Sequence, residues 1–344
     1  MEVAVIIPVT RPDHLSLCLG NLIRQTYDHT KIEVMLIKEK ELELNIPITD
    51  IKIKQFIEDK LHTGLRRNIA IKNTGAEILA FLDDDAIPPL DWIANAVRYL
   101  SNNNVAGVCG PIVQFQENLS FLNRLAGAAN DSIFLEGFDD SKIYEKKSLK
   151  FYNIPLCNSV ILRKAWEGVK GFNETAYYYM DDIEFFFLAN KLGYKFDSNY
   201  SLTINHAVES FPFKFLKKKF ITRFHVGINA IIFNDIYGKI PFINLAFLAY
   251  PILILLCYLG IIHKSFIFSV FLIYIISALF FSIPYFSKSK IVFIFLPMVF
   301  LFTHLTNFIA FTAGLVYYFL NSHKFSGICR DKEERLKTCR LSAI

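Results

Sequence analysis

The apolar run Ile78-Leu79-Ala80-Phe81-Leu82 drives straight into Asp83-Asp84-Asp85, and Pro88 closes the segment. An unbroken apolar run of this length fits a strand buried on both faces, as in a parallel sheet. Three adjacent carboxylates do not fit such a core, because an isolated buried carboxylate costs several kcal/mol to desolvate. The acids are therefore expected at the strand's carboxyl end, on the edge of an open α/β sheet where ligands collect. Side chains alternate along a strand, which puts Asp83 and Asp85 on one side and Asp84 on the other. Two carboxylates facing a cleft make a hard oxygen site for a divalent cation and, behind the cation, for a diphosphate.

The chain leading to the triplet alternates in type. Residues 3–9 form a β-branched strand, 14–25 carry apolar residues at helical spacing, and 32–37 and 51–57 read as further strands. Residues 65–74 read as a helix capped by Gly75. This rhythm predicts a parallel sheet with crossover helices. Beyond the triplet, a helix to about residue 100, a strand at 105–111, a strand at 159–163 and a helix at 177–192 follow, with 195–206 strand-like. The interval 118–150 predicts a short helix and a loop rich in Asp, Lys and Gly.

Of the 344 residues, 53% are hydrophobic, more than a wholly soluble chain carries, and the excess is uneven. Spans at 240–262, 266–286 and 291–320 are nearly free of charge, and each reaches the ~20 residues that a bilayer crossing needs. Before them, 211–239 interleaves Phe213, Phe215, Phe220 and Phe224 with Lys214, Lys217, Lys218, Lys219 and Arg223, a pattern that fits a helix lying at a membrane interface. The basic clusters flank the apolar part, which points to an anionic membrane surface and away from nucleic acid. The last span, with Pro297, His304, Thr306 and Asn307 inside it, is long enough to be two short or re-entrant segments. Two segments there would put the basic tail, 323–344, on the cytosolic side. Six cysteines without metal-ligand spacing read as reduced, mostly buried thiols. With no signal peptide evident, the domain at 1–210 is expected in the cytosol.

Five motifs in order resemble the family 2 glycosyltransferases with a GT-A fold: a Rossmann-like, mostly parallel sheet flanked by helices, here with a membrane anchor. They are Val5-Ile6-Ile7-Pro8-Val9; Gly64-Leu65-Arg66-Arg67-Asn68; the triplet with its trailing Pro88; Asn158-Ser159-Val160-Ile161-Leu162-Arg163 with Gly171-Phe172-Asn173-Glu174; and Tyr179-Met180-Asp181-Asp182-Ile183-Glu184. The resemblance covers about residues 3–210. It implies a nucleotide-sugar donor bound by Pro8, Val9, Arg11, Glu39, Arg66, Arg67, Asn68, Asp83 and Asp84. It implies Mg²⁺ or Mn²⁺ held by Asp85 and Asp83, with His206 as a third ligand. Asp182, with Asp181 beside it, matches the catalytic motif and implies a general base, with Asn158 and Glu184 on the acceptor side. One departure stands out: the family's usual Asp-Asp-Gly-Ser after the second strand is Lys38-Glu39-Lys40-Glu41 here, and Glu39 is the replacement.

Bland readings compete at each position. Asp84 or Asp85 could cap the next helix, a lone His is often structural, His62, Arg66 and Arg67 suit either phosphate oxygens or surface ion pairs, and Trp92 and Trp166 suit the core. The expected activity is inverting transfer of a sugar to a hydroxyl of a lipid-linked or other membrane-associated acceptor. The alternatives are a polyprenyl-phosphate glycosyl synthase, a processive polysaccharide synthase and, from another class, a non-catalytic membrane scaffold. A phosphate acceptor is already ionised and needs no base, so the Asp181-Asp182-Ile183-Glu184 motif favours the hydroxyl.

Overall fold

Alternation along the central strands sorts the first unit into layers. In β1 (Val3–Val9) and β4 (Ile78–Leu82) every residue is buried. Val3, Val5, Ile7, Ile78, Ala80 and Leu82 pack on one face with α1 (Pro12–Leu22) and α3 (Trp92–Asn102). Ala4, Ile6, Leu79 and Phe81 pack on the other with α2 (Thr63–Lys72), α5 (Arg163–Val169) and α6 (Asp181–Lys191). A strand clothed by helices on both sides must be apolar throughout, and the run before the triplet is.

The computed structural model describes residues 1–10, 12–41, 50–59, 62–114, 116–135, 147–150, 154–174, 181–209, 211–232, 256, 259–260, 263–329 and 333–335. Its seven-stranded sheet has the order β3-β2-β1-β4-β8-β6-β9, where β2 is Ile32–Lys38, β3 Lys52–Ile57, β6 Gly107–Cys109, β8 Asn158–Leu162 and β9 Phe196–Ser198. All neighbours are parallel except β8, which runs antiparallel to β4 and β6. A small second sheet, β5-β10-β7, joins Ala86–Ile87, Ile204–His206 and Ile112–Val113. The expected strand over 195–206 is thus two short strands in different sheets, separated by a 3₁₀ turn at Tyr200–Leu202.

The chain divides into two units that do not follow the linear boundaries expected from sequence. The first is Met1–Val113, Asp140–Ala207 and Gly327–Ile344, so the C-terminal segment groups with the sheet domain. The second is Gln114–Asp139 and Val208–Ser326. It holds α4 (Phe121–Asp131), α7 (Phe213–Ile232), α8 (Lys264–Ser282) and α9 (Lys290–Leu320).

Two of its helices, α8 with the turn after it and α9, are long and apolar enough to cross a membrane. α9 is one continuous 31-residue helix through Pro297, which corrects the expectation of a broken or re-entrant last span. The first expected span, 240–262, falls almost wholly outside the described residues. α7 is not merely a surface helix: Phe215, Ile228 and Ile232 are buried, while Phe213, Lys214, Lys217 and Lys218 are exposed. It crosses α9 at paired glycines. A Cβ on Gly314 would sit 2.0 Å from the Phe224 carbonyl oxygen, and one on Gly227 would sit 2.3 Å from that of Phe311. Backbones approach this closely only where side chains are missing.

Candidate active site

The acidic triplet lies where β4 leaves the sheet, and its three side chains diverge as strand alternation requires. Asp84 is buried and accepts from the Thr10 backbone N–H at 2.6 Å and from Thr10 Oγ1 at 3.2 Å. It pins the end of β1 to the end of β4. Asp83 and Asp85 turn the other way, towards His206. The antiparallel register of β10 and β5 sets His206 opposite Ala86, one residue past the triplet. Its Nε2 lies 3.4 Å from Asp83 Oδ2 and 3.1 Å from Asp85 Oδ1.

His206 Nδ1 lies 3.0 Å from the Ala207 carbonyl oxygen, which assigns the proton to Nδ1. Nε2 then meets two carboxylates, a contact that is attractive only with a proton or a cation between them. Burial pulls the imidazole pKa down, but the bond to Asp83 and the charges of Asp85 and Asp83 outweigh it and hold it above the usual histidine value. Two carboxylates and an imidazole with its far nitrogen tied to a carbonyl are a donor set that fits a divalent cation.

Sequence reasoning missed Cys157 at this edge, taking it for a buried thiol. The β4–β8 register pairs Leu82 with Asn158, so the next positions outward are Asp83 and Cys157. Cys157 is half-buried, and its Sγ, a carboxylate oxygen of Asp83 and a ring nitrogen of His206 all lie within 4.8 Å of one another. Burial, then the charges of Asp83, Asp182 and Asp85, raise its thiol pKa well above the ordinary value. The same thiol therefore feels both groups of acids.

The second group opens α6. Asp181 is buried and accepts from Arg67 Nη1 and from Thr63 Oγ1, the latter at 3.1 Å. Asp182, half-buried, accepts the Ile183 N–H at 2.7 Å. Burial and then the charge of Asp181 push its pKa up to about 7, against the opposing pull of Arg67. Glu184 is fully buried and bound by Asn173 Nδ2 at 2.7 Å and by Arg335 Nε at 2.9 Å. Arg335 also donates from Nη2 to the Gly171 carbonyl at 2.8 Å.

Residues 5–168, just under half of the chain, match the family described as Glycosyl transferase family 2. This segment is a family 2 glycosyltransferase domain. The match ends before Asp181, Asp182 and His206. Over 118 residues the chain is 30% identical to Glycosyltransferase AglE of Haloferax volcanii, covering 32% of this chain and 39% of that protein. It therefore spans about two fifths of the curated relative's length. Among solved structures, it is similar to the mannosyltransferase PcManGT from Pyrobaculum calidifontis in complex with GDP-Man and Mn²⁺. That likeness has a TM-score of 0.48 and 18% identity, over 66% of this chain and 62% of the other. It is also similar to S. aureus TarS 1–349 in complex with UDP-GlcNAc, with a TM-score of 0.45 and 12% identity over 66% of each chain.

Several positions carried over from the family motifs hold up the glycosyltransferase domain through bonds within the fold. Asn68 gives every polar side-chain atom to the fold: Nδ2 donates to the Phe172 carbonyl and to Glu174, and Oδ1 accepts from Trp166 Nε1 and the Phe172 N–H. Asn158 does the same, accepting from Trp92 Nε1 and donating to the carbonyls of Pro111 and Leu202. Arg67 pairs with Asp181 and lies over the Phe172 ring. Asp181 is fixed by that pair, and Glu184 is committed to Asn173 and Arg335. Each holds a neighbour within the fold.

Pro8 and Val9 are buried in β1, Glu39 is exposed just past β2, and Arg11 lies outside the described residues. Arg66 is buried, which lowers its pKa, while Glu39, Glu58 and Asp59 pull it back up. Trp92 and Trp166 are core residues with bonded indoles, not platforms. The helix after the triplet begins at Trp92, with Asp91 at its cap position, so neither Asp84 nor Asp85 caps it.

Gly64 lets α2 reach the acids of α6. A Cβ there would lie 2.3 Å from the Asn173 carbonyl oxygen and 3.1 Å from Asp181 Cβ. Gly64→Ala is expected to push α2 away, loosen Arg67 from Asp181 and cost about 1–3 kcal/mol of stability. A lowered thermal midpoint together with lowered turnover would bear this out; wild-type values for both would refute it.

Proposed function

We propose that this protein transfers a sugar, with inversion, from a nucleotide-sugar donor to a hydroxyl of a lipid-linked or other membrane-associated acceptor. The observation that carries the reading is Asp182: a half-buried carboxylate with a pKa of about 7, beside a thiol that also senses Asp83 and Asp85. A general base works best when its pKa lies near the working pH. In this reading Asp182 takes the proton of the acceptor hydroxyl as its oxygen attacks the anomeric carbon. The bond from that carbon to the diphosphate oxygen breaks, and its electron pair leaves with the diphosphate.

Asp83, Asp85 and His206 would hold Mg²⁺ or Mn²⁺, which when bound supplies Lewis-acid neutralisation of the leaving diphosphate. Thr10, through Asp84, keeps the two central strand ends together beneath them. Arg67 fixes Asp181 in place beside Asp182, while its charge tempers the rise that burial and Asp181 impose on the base. Removing divalent cations with a chelator is expected to abolish transfer, and adding back Mn²⁺ or Mg²⁺ to restore it. Full activity in excess chelator would sink the cation assignment.

We place the acceptor at a membrane. The two apolar helices, the exposed Phe213 and the exposed Lys214, Lys217 and Lys218 of α7 support this. Arg335 bonded to Glu184 keeps the C-terminal segment with the catalytic domain, which supports an even number of crossings and a cytosolic tail. The test is a nucleotide-sugar panel with membrane extract as acceptor, read by mass spectrometry of the glycolipid product. A glycosidic bond to a saccharide hydroxyl supports the reading. A phosphodiester-linked monosaccharide would overturn it in favour of a polyprenyl-phosphate synthase.

A further inference from the structure

We propose that Asp83, Cys157 and His206 form a mixed oxygen, sulfur and nitrogen donor set, in which Cys157 makes the site prefer thiophilic first-row cations over Mg²⁺. The inference rests on the cation site described above and names the class of cation it takes. Three features support it.

Position is the first. The antiparallel register carries Cys157 to the rim opposite Asp83, and β10 brings His206 against both. Their donor atoms lie within 4.8 Å of one another. Tetrahedral ligands at about 2.0–2.3 Å from Zn²⁺ sit roughly 3.5 Å apart, a spacing that small side-chain rotations would reach.

Packing is the second. Cys18 and Cys109 are fully buried members of the two apolar clusters that line the sheet, as ordinary structural thiols are. Cys157 belongs to neither cluster and is half-buried at the polar edge. A thiol placed only for its volume has no reason to face a carboxylate and an imidazole.

Donor chemistry is the third. Mg²⁺ takes hard oxygen ligands in near-ideal octahedral geometry and sheds water reluctantly. A sulfur at the site adds little to Mg²⁺ binding, whereas Co²⁺ and Zn²⁺ gain a ligand they favour. The His206 ring is already oriented by the Ala207 carbonyl, so its Nε2 faces the same point without further ordering. Asp85, 3.1 Å from that nitrogen, stands ready as a further oxygen ligand.

The experiment titrates Co²⁺ alone into the purified full chain and into the Cys157→Ser and His206→Ala variants. The near-ultraviolet sulfur-to-Co²⁺ charge-transfer absorption is followed, and Zn²⁺ and Mg²⁺ are then used as competitors. The wild type is expected to show the sulfur band. Cys157→Ser should still bind Co²⁺ but lose the band, with its preference for Zn²⁺ over Mg²⁺ falling about 10–100-fold. His206→Ala should weaken Zn²⁺ and Co²⁺ binding whether or not Cys157 participates. If the wild type binds Co²⁺ without a sulfur band, and Cys157→Ser leaves the preference unchanged, the cation site stands and the role of Cys157 is overturned. If the wild type binds no divalent cation, both fall.

Discussion

Asp182→Asn is expected to lower turnover about 10²–10⁴-fold, the usual worth of a positioned general base, while donor binding stays near wild type. The amide keeps the shape of the carboxylate and can still accept the Ile183 N–H, so the start of α6 need not move. It cannot accept a proton from an acceptor hydroxyl at the moment of attack. The pH dependence makes the assignment specific. A base must be deprotonated to work, and burial and Asp181 hold Asp182 at about 7, so wild-type turnover should rise as pH increases through about 7. In Asp182→Asn the residual rate should lose that limb. Near-normal turnover by the variant, or a limb that survives the substitution, would sink the assignment of Asp182 as base.

Arg335→Ala should cost about 3–5 kcal/mol of stability, the range for stripping one partner from a buried ion pair. Glu184 is fully buried, so once Arg335 is gone its charge keeps, among the described residues, the Asn173 amide. The variant has one relief, which is to protonate Glu184. Burial already holds this carboxyl above its ordinary value even with Arg335 and Asn173 pulling it down. Without Arg335 the native state keeps that proton to higher pH, while the unfolded chain releases it near the ordinary glutamate value. The native state then binds more protons than the unfolded one, so the loss of stability deepens as pH rises. Thermal midpoints of the full chain at acidic and alkaline pH would read this directly. Glu184→Gln in the Arg335→Ala background should recover part of the loss and flatten its pH dependence. A midpoint unchanged by Arg335→Ala at every pH would show that the pair contributes nothing.

What could be read from the chain beforehand was whatever depends on local periodicity. The apolar run of β4, its termination in acids and the divergence of Asp84 from its neighbours follow from a two-residue repeat and a buried central strand. The long apolar helices were legible because charge is missing over whole turns. Motif position was a poorer guide to the use of a side chain. Asn68, Asn158 and Arg67 sit where the family motif puts them, and each bonds to backbone or to side chains of the fold such as Trp166, Trp92 and Asp181. That allocation is decided by atoms distant in sequence, such as the Leu202 carbonyl and Phe172, which no local pattern reveals. Cys157 was passed over because no spacing rule links positions 83, 157 and 206. Only the antiparallel insertion of β8 and the second sheet bring them together. Pro297 misled in the other direction, since a helix can carry a proline where neighbouring groups take up the freed carbonyl.

The pair between Arg335 and Glu184 joins positions 151 residues apart, and both apolar helices lie between them. On the ribosome, the sheet and the acids of α6 are made first, and Glu184 waits without its countercharge while α8 and α9 are still being translated. The sheet domain is therefore finished by a residue made only after both apolar helices. A chain arrested within the apolar region would carry a Glu184 that has not yet met its countercharge.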